Sequence, residues 1–207
     1  MEPNEKKVKI MEVAEKLFAK NGFSATSVRE ISKKADVNIA MISYYFESKE
    51  KLLEAIFHYK GDYLRVMVEN LLQKDSFTRW QKLDWLVDEY VDRFLENQYL
   101  HRIILRESGL HSKGSLREFI DKQRYGHYKM VKEFIEKGQV DGEFKEGVDL
   151  LMLYSLLPGT TKHLLFHESF MRHVVKAESG REIDLEDLKI RTQSFLKMTL
   201  RMLLQKE

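Results

Sequence analysis

The stretch 27–46, SVREISKKADVNIAMISYYF, decides the fold. Ser27 followed three residues later by Glu30 fits a capping box, opening a short helix on which Val28, Ile31 and Ala35 face one way. Asp36-Val37 reads as a tight turn, since Asp visits the left-handed backbone region at modest cost. Asn38 then caps a further short helix reaching about Tyr45. Two short helices around so tight a turn make a helix-turn-helix, whose second helix presents its N-terminal residues to base edges in the major groove.

Working outward, Ile10, Val13, Ala14, Leu17 and Phe18 follow the spacing of an amphipathic helix that ends at Asn21-Gly22-Phe23. Downstream, Ser48 caps a helix striped by Leu52, Leu53, Ile56 and Phe57. It continues through Leu64, Met67, Val68 and Leu71 to a stop at Asp75-Ser76, with Gly61 in its middle. Helices are expected over 77–97 and 99–108, then a loop over 109–114. Ser115 caps the next, whose apolar face holds Leu116, Phe119, Ile120, Met130, Val131, Phe134 and Ile135. The segment 138–144, GQVDGEF, reads as a turn. A long apolar helix over 148–175, interrupted near Pro158-Gly159, and a final helix over about 184–205 complete the chain.

About nine helices and no strand are therefore expected: an all-α protein, with a helix-turn-helix domain over 1–47 and a larger helical domain over 48–207. Three short helices bury too little area to stand alone, so the first domain must lean on the fourth helix. Composition agrees, with two prolines and ten glycines in 207 residues. The absence of cysteine excludes disulfides, thiolate metal sites and a Cys nucleophile. No apolar run approaches the ~20 residues of a membrane span, and MEPNEKKVKI lacks an apolar signal core, so a soluble, cytoplasmic protein without a membrane partner is expected. The net charge of +2 neither requires nor excludes a nucleic-acid partner.

Within the N-terminal region, Ser27 and Arg29 stand at a helix N-terminus, where free N–H groups suit a phosphate. Lys49 begins the next helix, and Lys6, Lys7 and Lys9 form a basic N-terminal arm. Residues 10–57, IMEVAEKLFAKNGFSATSVREISKKADVNIAMISYYFESKEKLLEAIF, closely resemble the DNA-binding domain of the tetracycline-repressor-like (TetR) family. The block LFAKNGFSATSVREI, followed at the right distance by Tyr-Phe-x-Ser-Lys-Glu, carries the resemblance. It implies that Arg29 reaches a base edge and Ser27 a phosphate. It further implies that Asn38, Ile39, Ala40 and Met41 enter the groove, and that Tyr44, Tyr45 and Lys49 meet the DNA backbone.

Three departures stand out: Asp36 replaces the usual turn glycine, Ser43 replaces a phosphate-contacting tyrosine, and Ile39-Ala40-Met41 replaces a basic-Gly-Thr pattern. Apolar side chains read the thymine methyl but not guanine acceptors. Half-sites rich in A·T beneath Ile39 and Met41, with Arg29 on a guanine, are the expectation; the alternative is that both residues pack against the domain.

The resemblance also implies a homodimer joined by its last two long helices and released from a palindromic DNA operator by a small-molecule effector, most simply a repressor. No cofactor is implied. Gln123 and His127 interrupt an apolar helix face and either line the effector cavity or pair internally. Tyr90, Phe94 and Tyr154, with Trp85, Tyr125 and Tyr128, are aromatic candidates for its wall. Leu157, Leu164, Phe195, Met198 and Met202 are candidates for the dimer seam. His163 and His167 share a face beside Glu168, yet neither Glu-x-x-His nor His-Glu-x-x-His occurs, and no metal is expected. Gly61 is either a pivot between reader and sensor or a point of close helix packing. No nucleophile elbow, Walker loop or dinucleotide glycine set is present, so an enzyme is not expected. The alternative function is a protein-interaction adaptor, suggested by the absence of Lys or Arg between Ala35 and Phe46.

Overall fold

The structure is a computed structural model describing residues 5–74, 76–107 and 115–206, apart from the side chains at 62–65, 67, 115 and 116. Among the described residues there are nine helices and no strand. They are α1 (Glu5–Asn21), α2 (Val28–Ala35), α3 (Ile39–Phe46), α4 (Lys49–Leu72), α5 (Arg79–Glu96), α6 (Gln98–Glu107), α7 (Ser115–Val140), α8 (Leu150–Ser179) and α9 (Leu185–Leu204). An N-terminal helix-turn-helix region is followed by a larger helical region. The expected stop at Asp75, the loop at 109–114, the Ser115 cap and the placement of Leu64, Met67 and Leu116 lie outside the described residues.

Two compact units emerge, one of Met1–Met67 with Asn97–Arg124, the other of Val68–Glu96 with Tyr125–Glu207. The first therefore takes in α6 and the start of α7, which lie far beyond residue 47 in sequence. Ile10, Ala14 and Phe18 of α1 bury against Ile31 and Ala35 of α2, Ile42 and Phe46 of α3, and Leu52, Leu53 and Ile56 of α4. Leu100 and Ile103 of α6 and Ile120 of α7 complete that core. Each Leu, Ile or Phe side chain among them contributes about 1.5–3 kcal/mol of transfer free energy. The predicted stripes of α1 and α2, and that of α4 from Leu52 to Phe57, are the faces turned to this core.

The second unit packs Val87 and Val91 of α5, Phe134 and Ile135 of α7, Leu153 of α8, and Leu196, Leu200 and Leu204 of α9 around Phe144. Here the GQVDGEF segment is partly helical, because α7 continues to Val140. Gly138 lies within the helix for reasons of space: a methyl group there would sit 2.3 Å from the Phe144 ring. Gly142, at φ +76°, makes the turn itself. The loop is held by Arg79, which pairs with Asp141 and with Glu143 at 3.0 Å.

The final helices depart from expectation at one point. Pro158 does not interrupt α8; it removes one backbone donor inside a helix that continues to Ser179. The backbone instead leaves helical geometry at His167, φ −124° and ψ 21°. The His163 and His167 rings stack there, centroids 4.5 Å apart. No helix among the described residues is long and apolar enough to cross a membrane.

Candidate nucleic-acid interface

Ser27 has the extended backbone of an N-cap, and its Oγ accepts from the Glu30 N–H at 3.1 Å. The reciprocal half of the expected capping box is replaced: the Glu30 carboxylate accepts from Asn21 Nδ2 at 3.3 Å, tying α2 to the end of α1. Ser27 and Arg29 are both exposed at this helix start. Arg29 has no ion-pair partner among the described residues, so its guanidinium is available to an acceptor outside the chain.

The turn has the predicted geometry, with Asp36 left-handed at φ 54° and ψ 53° and its N–H donating to the Ser32 carbonyl. Asn38 Oδ1 accepts from the Ala40 N–H at 3.0 Å and starts α3. Ile42 and Phe46 anchor α3 in the core. The opposite face exposes Ile39, Ala40, Ser43 and Tyr44, with Tyr44 at 83%. Met41 and Tyr45 are half-buried on the flanks, Tyr45 packing against the core and meeting the Tyr44 ring edge-on at 5.3 Å.

Sequence reasoning did not reveal the role of Lys49. Its ammonium donates to the Phe23 carbonyl at 2.8 Å and the Thr26 carbonyl at 3.0 Å, and stands 4.4 Å from the Phe23 ring centroid. Two of its three N–H donors are thereby spent holding the turn that precedes α2, and one remains for an outside acceptor. Partners some 25 residues away leave no periodic signal that could have announced this. The basic arm is also different from expectation: Lys6, Lys7 and Lys9 are part of α1, and Lys7 stands 5.6 Å from the Phe46 ring centroid. Exposed Lys33 and Lys34 at the end of α2 add charge just before the turn into α3.

Deeper in the same unit, Glu15 of α1 is buried and pairs with Lys60 of α4 at 3.0 Å. His101 of α6 is held down at about 4 by burial, reinforced by the charges of Arg124 and Lys60. Gly61 adjoins Lys60 in sequence, and a methyl group at this glycine would meet nothing within 4 Å among the described residues. Among the described residues no close contact requires a glycine here.

The candidate effector residues are divided between the units. Gln123, half-buried, belongs to the first; Tyr90, Phe94, His127 and Tyr154 belong to the second. Tyr90 and Phe94 meet on α5 at 5.9 Å between centroids. Tyr128 of α7 meets Tyr154 of α8 edge-on at 5.5 Å and stacks with Tyr125 at 6.3 Å. His127 is half-buried, and burial lowers its pKa, favouring the neutral imidazole.

Among the seam candidates, Phe195, Met198 and Met202 share an exposed stripe of α9, Met202 at 75%. Leu157 is half-buried against the second core, and Leu164 is 1% exposed. Leu164 is thus core within its own chain and has no surface to offer a second copy. Exposed Met152 and Phe170 stand on the outer face of α8 instead. No group of three or more His, Cys, Asp or Glu side chains among the described residues could hold a metal ion. Glu168, the carboxylate beside the histidine pair, is engaged by Arg172 at 2.5 Å.

A helix-turn-helix on an otherwise helical chain, with an exposed reading face and an unpaired arginine at its edge, defines a DNA-binding transcriptional regulator. Residues 10–56 match the family described as bacterial regulatory proteins, tetR family. The chain is 33% identical over 143 residues to the "Probable HTH-type transcriptional regulator YttP" of Bacillus subtilis, covering 67% of each protein. It is 28% identical over 159 residues to the "Fatty acid metabolism regulator protein" of the same organism, covering 75% of this chain and 79% of that one. In fold it is similar to the transcriptional regulator FadR from B. subtilis in complex with stearoyl-CoA, at TM-score 0.65 and 23% identity over 91% of this chain and 96% of that chain. This protein belongs to the TetR family of transcriptional regulators.

Proposed function

We propose that the protein is a cytoplasmic homodimeric repressor that binds a palindromic operator and leaves it when a small molecule binds. The observation that carries this is the α3 surface: core residues fix one side of the helix, and four residues of the other side are exposed, as is Arg29 on α2. In this reading residues 1–47 meet DNA and 48–207 sense and dimerise. Arg29 reaches a base edge, Ser27 and the start of α2 receive a phosphate, and Asn38, Ile39, Ala40 and Met41 lie in or beside the groove. Tyr44, Tyr45 and Lys49 border the DNA backbone, Lys49 doing so mainly by fixing the 23–26 turn. No catalytic role is assigned.

Dimerisation is assigned to the outer stripes of α8 and α9, centred on Phe195, Met198 and Met202 and extended by Met152 and Phe170. A two-fold contact of that kind presents two reading helices to half-sites about 34–36 Å apart. Tyr90, Phe94, His127 and Tyr154 are proposed to line the effector site. The stearoyl-CoA held by the fold relative makes long-chain acyl thioesters the first compounds to test.

The test is selection of bound sequences from a random duplex pool, followed by titration of the selected duplex with acyl-CoA. An inverted repeat bound by two chains and released by ligand is the expected result. An adaptor would enrich no sequence, and that outcome overturns the reading.

A further inference from the structure

We propose that α3 reads the C5-methyl groups of pyrimidines, placing thymine beneath Ile39 and Ala40 in each operator half-site. This rests on the DNA-reading function proposed above and specifies what that surface recognises.

The outward face of α3 is defined by exclusion. Ile42 and Phe46 supply the helix's attachment to the core, so Ile39 is not needed there and remains 42% exposed at the first helical position. Ala40 beside it is exposed, and Met41 turns to the flank. The methyl-reading pair is therefore Ile39 and Ala40, not Ile39 and Met41.

The polar alternatives on this helix are few. Guanine is read through N7 and O6 by Arg or Lys, and Ile39–Phe46 contains neither. Adenine is read by a carboxamide offering both its oxygen and its nitrogen. Asn38 Oδ1 is already accepting the Ala40 N–H, so that fork is half occupied by capping. Ser43 offers a single neutral hydroxyl. Glu47, which ends the helix, is an anion and adds no donor. What the first turn of α3 presents is hydrocarbon, the Ser43 and Tyr44 hydroxyls lying a turn further along, and the C5-methyl of thymine is the apolar group displayed on a base edge in the major groove. Guanine recognition falls to Arg29, on the neighbouring helix.

The same chemistry extends to 5-methylcytosine, which carries its methyl at the same ring position. Burying one methyl against Ile39 or Ala40 is worth about fourfold in affinity, and about fifteenfold when both half-sites carry it.

The test uses the full-length protein and its selected operator, with thymines beneath α3 replaced by deoxyuridine, symmetrically and one position at a time. Binding is expected to weaken about fifteenfold at the two positions under Ile39 and Ala40 and to be unchanged elsewhere in the half-site. Placing 5-methylcytosine instead of cytosine at those positions should strengthen binding by a similar factor. Ile39→Ala should remove the difference between thymine and uracil at one position while leaving the salt dependence of binding as it was. Equal binding of thymine and uracil duplexes, or selected half-sites with invariant unmethylated G·C at those positions, overturns the methyl readout. Failure to enrich any sequence overturns the DNA-reading function itself, so the two failures are distinct.

Discussion

His101 shows how a single half-buried group makes the fold sensitive to pH. Its imidazole is held at about 4 in the folded chain, by burial first and then by Arg124 and Lys60, against an ordinary value of 6.5. The unfolded chain therefore takes up this proton as pH falls through 6.5, while the folded chain resists until about 4. Stability associated with the neutral imidazole is full above 6.5 and is lost across that window, up to about 3 kcal/mol. Urea unfolding between pH 7 and 4 should show this slope, and His101→Phe should flatten it; an unchanged slope in the variant would refute the assignment. Asp36 makes a second residue-scale case. A left-handed backbone costs a non-glycine residue roughly 1 kcal/mol even where the side chain is tolerant. Asp36→Gly should accordingly raise the unfolding free energy by some tenths to about 1 kcal/mol, measured by the same titration. Lys49→Met should do the opposite, since it strips the charged donor from the carbonyls of Phe23 and Thr26, at a cost of about 1–3 kcal/mol.

At the scale of elements, the helix-turn-helix was legible because its signals are local. Ser27, Asp36 and Asn38 act on backbone groups within five residues of themselves, and the apolar stripes of α1, α2 and α4 repeat at the helical period. What escaped the sequence is long-range. The Lys49 clamp, the Glu15–Lys60 pair and the burial of Leu164 depend on which helix packs where, and periodicity is silent about that. The α8 break shows the same limit: Pro158 is the local breaker, yet the distortion is nine residues further on at His167. Gly61 in α4 gives a prediction at this scale. With no neighbour among the described residues within 4 Å of a methyl group at that position, Gly61→Ala fits and should stabilise the helix by up to about 1 kcal/mol. If the glycine serves as a pivot, the stiffer helix should also shift operator affinity and ligand response. A more stable variant with both affinities unchanged would end the pivot idea.

For the whole molecule, the exposed stripe on α9 and the buried face of α8 predict opposite outcomes for two neighbouring kinds of substitution. Met202→Glu should give a folded monomer in sedimentation velocity, because a charge is placed on a surface assigned to the partner. Leu164→Ala should destabilise the protomer by about 2–5 kcal/mol, as a cavity in its own core. Loss of dimer from the second substitution alone would reverse the assignment of the two faces. In the proposed function, operator binding is where reader, sensor and seam have to work together. The most direct test of that account is the affinity of the dimer for its selected operator at 50 and 200 mM salt. Six to ten phosphate contacts predict a loss of about a thousandfold or more between the two. Binding that ignores salt would contradict a DNA-reading regulator and leave the chain as a protein-binding adaptor.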